Sequence, residues 1–86
     1  MKKIDPRKYN LSPRIQLRQN SSGHLFIVID RKSRIIMKDG QRIMKIANAI
    51  HTTGHGVPIS VLTSAPVCSK TKTFLSDNNI SIDPLM

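Results

Sequence analysis

The longest apolar run of this chain, Leu25-Phe26-Ile27-Val28-Ile29, carries an apolar residue at every position. A strand needs cover on both faces only when it lies inside a sheet, so the run predicts the central strand around which the rest must be arranged. The chain has 86 residues, 38% of them apolar, with no Trp and only Tyr9, Phe26 and Phe74 as aromatics. That is material for one domain with a thin, aliphatic core.

The flanks supply the other elements. Residues 1–12 read as a basic N-terminal arm, with disorder of the first 20 residues as the alternative, because Asp5-Pro6 and Ser12-Pro13 both disfavour helix. Residues 13–86 read as a single α+β domain. From Pro13 the chain alternates, Arg14, Gln16 and Arg18 to one side, Ile15 and Leu17 to the other, which predicts a half-buried edge strand. Asn20-Ser21-Ser22-Gly23 is a turn, and Arg34-Ile35-Ile36-Met37 is expected as a third strand, completing a basic meander over 13–37.

Asp39 is a suitable N-cap for a helix over the next stretch of chain. Ile43, Ile46, Ala47 and Ile50 recur at helical spacing, and Lys38, Arg42, Lys45 and Asn48 recur on the opposite side. Thr53-Gly54-His55-Gly56 stops that helix, with Gly54 expected at positive φ. A strand over 57–63 and a short helix over 69–77 come next. Val67, Thr71, Phe74 and Leu75 form that helix's inner face, and a last strand spans 80–82. The order is β-β-β-α-β-α-β. Strand–helix–strand crossovers place parallel strands in one mixed sheet of four to five strands with two helices on it.

Charge divides the chain. Residues 1–45 hold twelve Lys and Arg against Asp5, Asp30 and Asp39, a net +9, whereas Lys70 and Lys72 balance Asp77 and Asp83 in the remainder. Such a surplus calls for an anionic partner, and nucleic acid is the commonest large polyanion. The residues expected to meet it are Arg14, Arg18, Arg31, Lys32, Arg34, Lys38, Arg42 and Lys45. With so few aromatics and no RNA-recognition, GxxG or zinc-finger motif, the contacts are expected to be to the backbone. An acidic protein docking on the same face is the alternative. The bland reading is that these charges solvate edges and turns.

Lone Cys68 excludes an internal disulfide and suggests a reducing compartment, the cytoplasm. No apolar stretch comes after the N-terminal lysines, so no signal peptide is expected. The five-residue apolar run is far short of the roughly 20 residues of a membrane span. The five acids are all Asp, and nothing in their spacing suggests a catalytic pair.

Cys68 falls at a helix start beside Lys70 and Lys72, where a thiolate is favoured. It is the candidate catalytic residue. Residues 65–75, Ala-Pro-Val-Cys-Ser-Lys-Thr-Lys-Thr-Phe-Leu, locally resemble the redox loop of glutaredoxins. Ala65 stands where that family has its nucleophilic Cys, and the segment lies late in the chain. The resemblance therefore implies no thiol–disulfide cycle within this chain. Ser64, Ser69, Lys70 and Thr71 also make a candidate anion cradle, without the Gly residues of a P-loop. His51 and His55 lie four apart across Gly54, a spacing that gives no metal site, and His51 is expected to face its helix's terminal carbonyls. No cofactor is indicated.

Overall fold

A computed structural model describes residues 1–54 and 56–85. Its elements are β1 (Lys2–Ile4), a 3-10 turn (Pro6–Tyr9), β2 (Gln16–Gln19), β3 (Leu25–Ile29), α1 (Met37–Thr53), β4 (Ile59–Thr63), α2 (Ser69–Asp77) and β5 (Ser81–Pro84). One five-stranded sheet runs in the order β1-β2-β3-β4-β5. The first three strands are antiparallel neighbours, and β3–β4 and β4–β5 are parallel. The expected α+β architecture and element order hold, with β3 at the centre.

The membership of the meander differs. Its first strand is Lys2–Ile4, drawn from the stretch read as an arm, paired Lys3 to Arg18 and Ile4 to Leu17. Tyr9, in the 3-10 turn after β1, is buried in the core. Arg34–Met37 is not a strand. Ile35 makes a single parallel bridge to Val67, and the helix begins at Met37. The β-branched pair Ile35-Ile36 satisfies strand propensity locally. Its partner Val67 lies in the loop between β4 and α2, and the pairing stays at that one bridge.

Both helices cover one face of the sheet. Ile43, Ile46, Ala47 and Ile50 of α1 and Leu75 of α2 pack with Leu17, Leu25, Ile27, Ile59 and Val61 in one core. On the other face Phe26, Val28 and Leu62 form a smaller cluster against which Leu85 packs. This is why β3 had to be apolar on both sides. The helices also touch each other closely. A Cβ on Gly40 would sit 2.9 Å from Thr71 Cγ2, and Thr71 is fully buried. Glycine at that position sets how near α1 and α2 approach.

Two turn assignments resolve locally. In the 20–23 turn, Gly23 has φ +85°, and Asn20 Oδ1 accepts from the amides of Ser22 and His24. After α1, positive φ falls on Gly56 (φ 74°), not on Gly54 (φ −119°). His55 lies outside the described residues. No helix among the described residues is long and apolar enough to cross a membrane.

Candidate nucleic-acid interface

The two parallel crossovers leave the sheet side by side. Ile35 and Val67 bridge, with the Ile35 amide donating to Pro66 O and the Cys68 amide to Ile35 O. The first crossover then enters α1 at Ile36, whose φ of −117° and ψ of 178° are extended. Asp39, expected as the N-cap, sits three positions later. From there its carboxylate reaches back to accept the Ile36 amide at 3.0 Å. Asp39 thus makes the N3 half of a capping box, satisfying the amide of the N-cap residue, while the apolar Ile36 side chain offers no acceptor of its own in return. The same oxygen accepts from Arg31 Nη2 at 2.6 Å. The Arg31 guanidinium, with the Ile36 amide second, holds the Asp39 carboxyl below the usual carboxylate range. Arg31 is fixed further by donating to the carbonyls of Ser33 and Arg34.

Beside this ion pair, at the carboxyl end of β3, lies a cleft of about 240 Å³. Arg14, Arg31 and Arg42 line it together with Asp30 and Asp39. Open sheets commonly bind ligands at this end of their strands. The two acids were not expected to meet. They do so because the loop 30–36 folds back, setting Asp30 at the end of β3 and Asp39 in the first turn of α1 against the same space. Ser64 Oγ, at the end of β4, donates to Asp30 Oδ1 at 2.6 Å and fixes that carboxylate.

Arg42 belongs to two groups. It lines the cleft with Arg14 and Arg31, and it stands in the exposed α1 stripe with Lys38 and Lys45. Arg42 is common to the two groups, which together hold five of the eight expected residues. Lys32 is exposed in the connection next to Arg31, and Arg34 is exposed beside Cys68, whose thiol its charge influences. Arg18 is separate. It pairs with Phe26, whose side chain belongs to the cluster on the sheet face opposite the helices. Across from it stands Lys3, a like-charged neighbour.

At the second crossover Cys68 is the N-cap of α2 and makes no side-chain capping hydrogen bond. The Lys70 and then the Thr71 amide still face its sulfur and draw the thiol below its ordinary value, with a smaller pull from Arg34. These amides of the expected anion cradle are thus turned to the chain's own sulfur. Ser69 and Lys70 are exposed, the Thr71 side chain is sealed with no hydrogen-bond partner for its hydroxyl among the described residues, and Ser64 is held by Asp30. Cys68 itself is half-buried. His51 Nε2 meets Val57 O at 3.0 Å, beyond its helix, instead of the helix's own carbonyls. Among the described residues no group of three or more His, Cys, Asp or Glu could hold a metal.

Sequence reasoning passed over His24. Its ring stacks on Phe26 at 4.5 Å between centroids, and its Nε2 meets Ser60 Oγ at 2.7 Å. Ser60 Oγ in turn meets Ser81 Oγ at 2.6 Å, so the network satisfies a serine that is 1% exposed.

No protein-family model matches the chain, and no curated protein matches it in sequence. A solved structure, the crystal structure of a repair endonuclease from Pyrococcus abyssi, is similar in fold. The TM-score is 0.66 at 8% identity, over 81% of this chain and 31% of that one. This chain therefore spans about a third of that protein's length, and at such identity the likeness is one of fold alone.

Proposed function

We propose that this chain binds nucleic acid as a polyanion, through backbone contacts from Arg14, Arg31, Lys38, Arg42 and Lys45. The observation that supports the reading is the position of Arg42, which lines the cleft with Arg14 and Arg31 and also stands on the exposed helix stripe with Lys38 and Lys45. Asp39 is the one acid in the first turn of α1, and it is engaged by Arg31. The surplus on this surface is left for an external anion. The fold likeness to part of a protein described as a repair endonuclease agrees with that class of partner.

Fluorescence anisotropy with labelled duplex and single-stranded DNA or RNA tests it. Contacts to five phosphates give a log–log salt slope of roughly −4 to −5 on duplex DNA, at about 0.9 per phosphate. Absence of binding below about 100 μM at about 50 mM salt overturns the reading, since non-specific binders associate there. An acidic protein partner then takes its place. One observation favours that second reading: Ile36, between Arg34 and Lys38 in sequence, is 49% exposed and offers an apolar anchor among charged residues.

A further inference from the structure

The cleft at the end of β3 is more than a cluster of cations. Its net charge is only +1, three arginines against Asp30 and Asp39. Its walls include Ile15 and Ile29, both half-buried, so apolar surface is reachable from within it. A bare phosphate is a poor match for such a site, because two carboxylates oppose it and the apolar wall does nothing for it. A nucleotide uses every part. Guanidinium groups suit phosphate oxygens bidentately, and isoleucine side chains suit the face of a base.

Asp30 then has a purpose, while Asp39 serves to hold Arg31 in place. Asp30 Oδ1 is occupied by the Ser64 hydroxyl, and Oδ2 accepts no hydrogen bond from the described residues. A fixed carboxylate with one free oxygen is an acceptor for an exocyclic amine, which adenine, cytosine and guanine carry and uracil lacks. The volume, about 240 Å³, lies just below the roughly 300–1,000 Å³ of ordinary small-molecule pockets. It suits one nucleotide unit, not a duplex. We infer that this cleft holds a single nucleotide with an amino-bearing base, an unpaired or terminal one of the strand carried by the surrounding basic surface. The inference rests on the nucleic-acid reading above, although the pocket can be probed without a polynucleotide.

The test is a titration of the full ¹⁵N-labelled chain, monitored by amide shifts. Its probes are cytidine and uridine 5′-monophosphates, ribose 5-phosphate and inorganic phosphate. Cytidine monophosphate is expected to move the amides of 29–31 and 39–43. It should bind about tenfold tighter than ribose 5-phosphate or phosphate, and about fivefold tighter than uridine monophosphate, as one added hydrogen bond and an apolar contact allow. Asp30→Ala, at an exposed position, should erase the cytidine preference while strengthening phosphate binding. Arg14→Gln with Arg42→Gln should abolish all four. Cytidine monophosphate binding no tighter than ribose 5-phosphate, or shifts elsewhere, overturns the inference. If polynucleotides still bind with a steep salt slope in that case, the nucleic-acid reading survives and the pocket alone falls. Conversely, cytidine monophosphate seated in the cleft of a chain that binds no polynucleotide keeps the pocket and removes the broader reading.

Discussion

The two parallel crossovers, β3-α1-β4 and β4-α2-β5, repeat one topology on adjacent strands and differ in almost everything polar. Each leaves a buried strand, passes a loop residue of the Ile35–Val67 bridge and enters a helix through an N-cap without a side-chain oxygen. In the first, the helix start is served by Asp39, and Arg31 is recruited to Asp39, so a cleft forms around fixed charges. In the second, the amides close on Cys68 and the lysines stay exposed on a short helix. The packing scaffold is shared between the two crossovers. What separates them is where the chain places its charge, and that difference locates the candidate site.

If the scaffold is shared, its core should be equally costly to break on both sides. Ile46→Ala in α1 and Leu75→Ala in α2 each remove a buried side chain and should each cost roughly 2–4 kcal/mol in urea unfolding. A loss below about 1 kcal/mol for Leu75→Ala alone would make α2 peripheral and end the equivalence. The contact between the helices is the next weaker link. Gly40→Ala gains up to about 1 kcal/mol of helix propensity but drives a Cβ into Thr71 Cγ2 at 2.9 Å, so a net loss of roughly 1–2 kcal/mol is expected. A stabilised variant would mean that α1 and α2 can part without cost.

The smallest effect concerns Cys68. Its thiol is drawn down, first by the Lys70 amide, so iodoacetamide should label it faster at pH 7 than a free cysteine. The rate should level off below the ordinary thiol range. The linked contribution to stability has the sign of a depressed acid. It is full above the ordinary thiol value and disappears as pH falls through the folded one. Labelling released only by denaturant would show that the second crossover hides its sulfur, and the contrast with the first would sharpen.

Much of this architecture is legible from residue pattern because it rests on local periodicity. Leu25 to Ile29 announces the central strand, and Ile43, Ile46, Ala47 and Ile50 announce the inner face of α1. The misread parts are those decided by distant partners. Lys2–Ile4 becomes a strand only because β2 offers it an edge, and Ile35-Ile36, β-like by composition, finds one bridge to Val67. The candidate site divides the same way. Lys38, Arg42 and Lys45 share a face by helical spacing, which needs only the chain itself. The alternation of Arg18 with Leu17 already sets Arg18 on the face of β2 away from the core, whereas the meeting of Asp30 and Asp39 depends on how the loop folds back. No spacing rule carries that information.

On the proposed reading the anion-binding charge lies on the first crossover and the neighbouring Arg14, and not on the second crossover. The most direct test compares the salt dependence of duplex binding for two double variants. Arg42→Glu with Lys45→Glu should weaken binding about equally for all sequences and make the log–log slope shallower by about two units. Lys70→Glu with Lys72→Glu should leave the slope nearly unchanged. Equal changes in the two variants would mean that the partner senses only net charge, and a surface localised to the first crossover would be contradicted.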